Sequence, residues 1–250
     1  MSLAITQLES GVTGIRLDNT TANVLDPQVI AELGKALDAA CATNRAVVLM
    51  GGDKFFCNGL DLQWAVAQNR PTMRALFLSL CELVLKFLEA PIPIVGAMKG
   101  HAIGAGKTLL VATDYRIGAS GRVLLGMPEV KLGVPNPYFA ELLLRFLTTE
   151  SAASELIYSG ELVTAEQASA IGLINALATP EAVESMALAK ATALAALPPL
   201  AFAHSKNQRS FALRREIRAN VEQMIDGLLD AWFGPQAQAI LRATADRLKR

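Results

Sequence analysis

The sequence predicts an α/β fold in which helices cover a mainly parallel sheet. Strand-like apolar segments alternate with segments of helical periodicity, and glycine-rich breaks follow two of the strand-like segments. This repetition of strand, break and helix is typical of right-handed β-α-β crossovers, which join parallel strands. The 250 residues are 52% hydrophobic and 18% charged, which is enough apolar material for one large core.

The first half of the chain supplies most of the predicted strands. Two short apolar runs flank the polar turn at residues 9–11 as a hairpin. Asp26 and Pro27 suit the N-cap and first position of a helix whose apolar residues share one face. The predicted elements are strands Ala4–Leu8 and Val12–Leu17, a helix from Asp26 to about Ala42, strand Ala46–Met50, helix Met73–Leu88 and strand Ile92–Met98.

From Phe139 onward, predicted strands nearly vanish and the apolar spacing is helical. Thr164 and Gln167 have the spacing of a capping box at the start of one short helix. We therefore predict a β/α core domain at residues 1–195 and a C-terminal helical region at residues 196–250. The predicted helices are Ala140–Leu147, Thr149–Ser159, Thr164–Ala170, Pro180–Ala196 and Pro198–Trp232.

Composition disfavours several classes of function. Lys+Arg and Asp+Glu balance at 23 each, so no overall basic field supports nucleic-acid binding. Three cysteines without C-x-x-C spacing and two histidines make no zinc pattern, which predicts no metal site and a reducing, cytoplasmic setting. The N-terminus lacks the pattern of a secretory signal, and Lys190 and Pro198 interrupt the apolar stretch Ala187–Ala203, so we expect no membrane span.

Two glycine-rich breaks are candidate binding loops. One lies within Pro91–Asp114, where an apolar strand gives way to glycines and then to a helix-like apolar segment; the other is Gly51–Leu62, after strand Ala46–Met50. Glycine lets backbone N–H groups approach a ligand closely, and a helix N-terminus adds a positive dipole end. The two breaks together suit an anion or oxyanion site, although each alone also fits a plain turn.

Glu129 is a candidate general base because it lies in the apolar run Val123–Val130. Removal of a carboxylate from water disfavours its charged form, so we expect a raised pKa. Asp61 and Asp114 also lie near the breaks, but Asp beside a turn usually bonds local backbone, and we expect both to be structural.

Four segments resemble the crotonase (enoyl-CoA hydratase/isomerase) superfamily in combination and order, and the resemblance extends over nearly the whole chain. Residues 156–161 and 165–173 resemble the stretch that usually follows in this family. The four segments are residues 55–62 (FFCNGLDL), 93–106 (PIVGAMKGHAIGAG), 112–116 (ATDYR) and 127–133 (MPEVKLG).

The resemblance implies a spiral of β-β-α turns, an acyl-CoA substrate, no separate cofactor, and a homotrimer or homohexamer assembled through the C-terminal helices, which also act as a pocket lid. It implies that the backbone N–H groups of Leu60 and Ala105 bind the thioester oxygen, with Glu129 as acid and base. The expected substrate-binding residues are Phe56, Asn58, Gly59, Trp64, Gly104, Thr108 and Tyr138, of which Trp64 and Tyr138 also fit simple core positions.

One departure from the family pattern bears on the reaction. Hydratases hold a water between two glutamates, but the position that matches the first of them is Thr108, whereas Glu129 matches the second. A single carboxylate suits movement of a proton between carbons, which is the Δ3,Δ2-enoyl-CoA isomerase reaction.

Two alternatives stay open. The first is a hydratase or other crotonase-type lyase in which Thr108 with a water, or Glu141, replaces the missing carboxylate. The second is a non-catalytic acyl-CoA-binding subunit. A further open point concerns the arginines at 209, 214, 215 and 218, which suit either a CoA phosphate or a solvated helix face.

Overall fold

The computed structural model describes residues 2–248, and these form two sheets surrounded by helices. The strands are β1 Leu3–Gln7, β2 Val12–Leu17, β3 Ala46–Met50, β4 Phe55–Cys57, β5 Ile94–Met98, β6 His101–Ile103, β7 Tyr115–Ala119, β8 Leu124–Gly126, β9 Leu162–Thr164 and β10 Ala176–Ala178. The helices are α1 Pro27–Thr43, α2 Leu62–Ala65, α3 Arg70–Glu89, α4 Ala105–Val111, α5 Tyr138–Leu147, α6 Glu150–Ser159, α7 Ala165–Ala170, α8 Val183–Ala195, α9 Pro199–Trp232 and α10 Pro235–Leu248.

From β3 to β8, successive strands alternate between the two sheets. The first sheet has the order β1-β2-β3-β5-β7-β10 and is parallel except at the β1–β2 hairpin. The second sheet has the order β4-β6-β8-β9, with only β9 antiparallel to its neighbour. The pairs β3–β4, β5–β6 and β7–β8 each place one strand in each sheet, so the chain winds as a spiral of β-β-α turns. The predicted α/β class and spiral architecture are confirmed.

Local sequence signals determine several helix starts. Asp26 Oδ1 accepts a hydrogen bond from Val29 N at 2.8 Å, and Pro27 occupies the first position of α1, as predicted. Thr164 and Gln167 form the predicted reciprocal capping box at the start of α7.

Two strands beyond Phe139, β9 and β10, are absent from the sequence prediction. Each has only three residues, Leu162–Thr164 and Ala176–Ala178, and lies at the edge of its sheet, where it pairs with one neighbour. Runs this short have too little period-2 pattern to be recognised, and only tertiary pairing defines them.

The main hydrophobic core lies between the sheets and the helices α1, α3, α4, α5 and α9. A second core lies on the other face of the six-stranded sheet, where Ala187, Ala191 and Ala195 of α8 pack closely against the strands. In the first core, all seven residues of α4 are buried, including Lys107 and Thr108. Within residues 2–248, no single helix is long and apolar enough to span a membrane, and α8 and α9 meet that test only together, across a bend of 106°.

Candidate active site

The loop after β4 presents the N–H of Leu60 to a cavity. Leu25 N donates to Gly59 O at 2.8 Å, and Asp61 N donates to Leu25 O at 2.9 Å, so the segment that contains Leu25 holds this loop in place. In a trans peptide the C=O and the following N–H point in opposite directions. Because Gly59 O faces Leu25, the N–H of Leu60 points away from that segment, and no described residue accepts it.

The loop before α4 presents the N–H of Ala105 in the same way. Gly104 O accepts hydrogen bonds from Thr108 N at 3.1 Å and from Thr108 Oγ1 at 3.2 Å, along the helix. The N–H of Ala105, in the same peptide plane, therefore points out of the helix N-terminus, where first-turn donors have no helical acceptor. No acceptor for it lies within the described chain.

Two glycines let the loops approach each other. Gly59 has φ +85° and Gly104 has φ +54°, both in the left-handed region. A Cβ on Gly59 would lie 3.0 Å from Ile103 O and 3.5 Å from Ala105 N. A Cβ on Gly104 would lie 3.1 Å from Glu129 Oε1, so the two N–H loops and this carboxylate share one small volume.

Glu129 begins a short 3-10 turn, Glu129–Leu132, and its carboxylate enters this volume. Its Oε2 atom is enclosed and has no hydrogen-bond partner among the described residues. Burial raises the pKa of Glu129 from 4.5 to about 7, and a backbone hydrogen bond and the charge of Lys107 offset only part of that shift. A carboxyl group with this pKa can both accept and release a proton near neutral pH.

Lys107 is a buried cation close to this carboxylate that the sequence analysis does not single out. It is 1% exposed, and its Nζ lies 3.1 Å from Met127 Sδ. Burial lowers the pKa of Lys107 from 10.5 to about 7, with the negative charge of Glu129 acting in the opposite sense. The available signal was a lysine inside the otherwise apolar segment Ala105–Val111.

Gly59, Leu60, Gly104, Ala105 and Glu129 line a cavity of about 450 Å³ with a largely apolar wall. Apolar side chains from α3, the 129–139 segment and α5 form one side, and the C-terminal helices α9 and α10 close another. Among the wall residues are Phe77, Leu80, Leu132, Val134, Phe139, Leu228, Trp232 and Leu248. An apolar cavity with a few convergent polar groups is typical of a small-molecule site.

Most of the predicted site residues meet at this cavity. Asn58, Gly59, Leu60, Gly104, Ala105, Thr108 and Glu129 all line it.

Three expected substrate-binding residues, Phe56, Trp64 and Tyr138, are not among the described residues that line the cavity. Phe56 lies on the core side of β4 and is 0% exposed. Trp64 packs against the main core from α2. Tyr138 at the start of α5 turns its hydroxyl outward, where it donates to Glu216 Oε1 of α9 at 2.6 Å.

Part of the cavity comes from segments that the sequence did not indicate. Thr20, Ala22 and Val24 line it from the loop before α1, and Asn58 N donates to Ala22 O at 3.0 Å. Thr244 reaches it from α10. None of these positions carries a local motif, so only the folded chain brings them to the site.

The two aspartates make the expected backbone contacts. Asp61 Oδ1 accepts from Trp64 N at 3.0 Å as the N-cap of α2, although its side chain also borders the cavity. Asp114 Oδ2 accepts from Ile94 N at 2.8 Å and from Lys206 Nζ at 2.7 Å.

The charged residues considered as alternatives lie away from the cavity. Arg214 and Arg218 both pair with Glu89, and Glu141 lies 3.8 Å from Arg145. Arg209 and Arg215 lie over the rings of Phe146 and Phe211.

Comparison with known proteins gives a consistent assignment. A family model described as enoyl-CoA hydratase/isomerase matches residues 7–230. Over 161 residues the chain is 32% identical to "Enoyl-CoA delta isomerase 2, peroxisomal" of Arabidopsis thaliana, and this matched region covers 61% of this chain and 67% of that protein. A probable enoyl-CoA hydratase of Mycobacterium tuberculosis H37Rv superimposes with a TM-score of 0.86 at 28% identity, covering 91% of this chain and 96% of that one. Human mitochondrial delta3-delta2-enoyl-CoA isomerase superimposes with a TM-score of 0.94, covering 100% and 98%, and its 22% identity supports the fold alone.

Proposed function

Because the chain belongs to the enoyl-CoA hydratase/isomerase family, we propose that it converts a 3-enoyl-CoA to a 2-enoyl-CoA, with Glu129 as the acid and base. One observation carries this proposal. The enclosed, unpartnered carboxylate of Glu129 lies beside two unused backbone N–H groups in an apolar cavity. The resemblance of the chain to a delta isomerase of Arabidopsis thaliana supports the same choice.

The N–H groups of Leu60 and Ala105 bind the thioester oxygen. Abstraction of a proton from C2 moves negative charge onto this oxygen, and fixed donors stabilise the charge without reorganising. Mutational estimates place the contribution of one such donor at about 3–4 kcal/mol. The left-handed glycines before each donor, Gly59 and Gly104, hold the two loops close enough to share one oxygen.

Glu129 carries the proton between carbons. Its carboxylate takes the C2 proton, and the C–H electron pair enters a dienolate that extends from the thioester oxygen to C4. The protonated Glu129 then returns the proton to C4, the C2=C3 double bond forms and the thioester carbonyl is restored. Both atoms and charge balance without a cofactor, and the enzyme ends in its starting state.

Hydration is the alternative reaction, and it needs a second group to hold and activate water. Thr108 lines the cavity at the position of the first hydratase glutamate, but its hydroxyl donates to Gly104 O. Asp61 is a second carboxylate at the cavity, yet one of its oxygens already caps α2. Glu141 is not among the described lining residues. These contacts favour isomerisation over addition of water.

A non-catalytic acyl-CoA-binding subunit is the alternative from another class. An enclosed carboxylate without a partner, such as Glu129, costs folding stability. Its presence is therefore easier to explain if the group has a function. We therefore favour an enzyme. We further propose a homotrimer or homohexamer assembled through residues 196–250, and a cytoplasmic setting, with which the free thiols of Cys41, Cys57 and Cys81 are compatible.

The test is incubation of purified protein with 3-hexenoyl-CoA and, separately, with 2-hexenoyl-CoA, with chromatography of all products. The proposal expects 2-enoyl-CoA from the first substrate and little 3-hydroxyacyl-CoA from the second. Rapid formation of 3-hydroxyacyl-CoA would favour the hydratase. Binding of both substrates without conversion would favour the non-catalytic subunit.

A further inference from the structure

A second cavity, of about 320 Å³, lies at the other end of α4 from the candidate active site. The first cavity meets α4 at Ala105 and Thr108, whereas the second meets it at Val111 and the residues that follow. Four charged side chains line this second cavity, and we call it the basic cavity: Asp114, Arg116, Lys206 and Arg209.

Arg116 is a buried cation with unused hydrogen-bond donors. It is 3% exposed, its Nε donates to Leu173 O at 2.7 Å, and its Nη1 donates to Thr113 O at 2.7 Å. A guanidinium has five N–H donors, and Nη2 has no acceptor among the described residues. Nη2 is also not one of the fully enclosed atoms that lack a partner, and Arg116 lines the cavity.

The positive charges of the basic cavity exceed the negative ones. Asp114 is the one carboxylate among the described residues that line it, and its Oδ2 already binds Lys206 Nζ at 2.7 Å and Ile94 N at 2.8 Å. That pair leaves Arg116 and Arg209 without a carboxylate of their own. Arg209 is exposed at the rim, with its guanidinium 4.5 Å from the centre of the Phe146 ring.

The two guanidinium groups repel each other across the basic cavity. Burial lowers the pKa of Arg116 to about 10, and the charge of Arg209 lowers it further than any other neighbour does. Asp114 and Tyr115 act in the opposite sense, each with a smaller effect than Arg209. An anion bound between the guanidinium groups would relieve the repulsion and accept hydrogen bonds from the unused N–H groups.

The rest of the wall is mostly apolar. Leu143, Phe146 and Leu147 of α5 line it, and so does Phe202 of α9. An inorganic anion would leave this apolar surface exposed to water, whereas the apolar tail of an organic anion would cover it.

We propose that the basic cavity binds a small monocarboxylate with an apolar tail, with its head on Arg116 and Arg209 and its tail against α5. The cavity shares no described lining residue with the candidate active site. The proposal therefore stands or falls independently of the isomerase reaction.

The experiment is calorimetric titration of the full chain with acetate, butanoate and hexanoate at constant ionic strength, with inorganic phosphate as a separate arm. Burial of the tail predicts that each added methylene strengthens binding about three- to fourfold. Arg209→Gln removes one charged partner, so hexanoate binding should weaken at least about tenfold. Arg116→Lys keeps the charge but loses the planar fork, and it should weaken binding similarly.

The control is Arg122→Gln, which removes another exposed arginine away from the basic cavity and should leave hexanoate affinity unchanged. Arg209 is exposed, so its variant should fold even if Arg116→Lys does not. Equal hexanoate affinity in Arg209→Gln and the wild type would overturn the proposal, because hexanoate would then occupy another site. Tighter binding of phosphate than of hexanoate would also overturn it. A third result would also overturn the proposal: no carboxylate binds the wild type, and Arg209→Gln has a lower oligomer mass than the wild type. A second copy of the chain, and not a carboxylate, would then fill the cavity.

Discussion

Lys107 and Glu129 are an ionisable pair beneath the candidate active site, and burial drives the pKa values of both toward about 7. Glu129 reaches the cavity, whereas Lys107 Nζ lies behind it, 3.1 Å from Met127 Sδ. Each charge favours the charged form of the other, but burial dominates for both. The protonation of the proposed base therefore depends on a residue that does not border the substrate cavity.

Lys107→Met tests this dependence. The positive charge of Lys107 lowers the pKa of Glu129, so its loss should raise that pKa and move the acid limb of the pH–rate profile to higher pH. The profile of kcat/KM against pH measures the shift. An unchanged acid limb would mean that Lys107 is neutral during turnover or too far away to matter.

The same variant should change the pH dependence of stability. The folded-state pKa of Lys107 is about 7 against an ordinary value of 10.5, so between these values the unfolded chain binds the extra proton. The contribution of Lys107 to the free energy of unfolding is therefore smallest below about pH 7 and rises as the pH increases toward 10.5. Lys107→Met should be more stable than the wild type near pH 7, and its stability should lack that rise with pH. Urea unfolding at several pH values tests both effects.

The wild-type pH–rate profile should report Glu129. Its pKa is raised to about 7, and the base must be ionised to take the C2 proton, so kcat/KM should increase as the pH rises through about 7. Glu141→Gln is the matched control, because Glu141 is not among the described residues that line the cavity. An acid limb near the ordinary Glu value of 4.5 would contradict the assignment of this burial-shifted base.

Gly104→Ala should impair the oxyanion site. Gly104 has φ +54°, and an added Cβ would lie 3.1 Å from Glu129 Oε1, so the loop or the carboxylate must move. We expect a loss of about 1–2 kcal/mol in folding stability and a larger fractional loss in kcat than in substrate affinity. Gly227→Ala is the control: its Cβ would meet nothing within 4 Å, and alanine inside α9 should stabilise the helix by about 0.5–1 kcal/mol. Thermal unfolding and steady-state kinetics of both variants separate strain at the site from a general effect of alanine.

Thr108→Glu should convert part of the activity toward hydration. The new carboxylate would stand in the same cavity as Glu129 and give a water two carboxylate partners. Like charges raise each other's pKa, so isomerisation near neutral pH should fall while 3-hydroxyacyl-CoA appears from 2-hexenoyl-CoA. Thr108→Gln has similar bulk without the charge and should produce no hydration. Equal hydration by both variants would show that a second carboxylate is not what limits addition of water.

Local motifs were sufficient to predict much of the fold and the centre of the site. Strand Ala46–Met50 has the predicted bounds, and α1 begins at Pro27 after its Asp26 cap, because these elements follow from a buried apolar run and a strong cap. The glycine breaks and a carboxylate in an apolar run indicate an oxyanion site with Glu129 as a candidate base, whereas the choice of Leu60 and Ala105 rests on the resemblance to the crotonase superfamily. Their backbone geometry follows from the residues around them.

Local motifs do not predict the direction of individual side chains or the parts of the cavity wall that come from segments without a motif. Phe56 lies on a three-residue strand, and which of its faces meets the core depends on pairing with β6. Tyr138 turns outward because Glu216, 78 residues later, accepts its hydroxyl. Thr20, Ala22 and Val24 reach the cavity through a segment without any motif, held there by hydrogen bonds to the Asn58–Asp61 loop.

The most direct test of the central claim is the rate at which Glu129→Gln converts 3-hexenoyl-CoA to 2-hexenoyl-CoA, measured beside the affinity of the variant for the substrate. The amide is close in size to the carboxyl group but cannot accept the C2 proton, so turnover should fall roughly 10²–10⁴-fold or more while acyl-CoA binding is retained. Turnover within a few-fold of the wild type would contradict the account, because the base would then be a group other than Glu129.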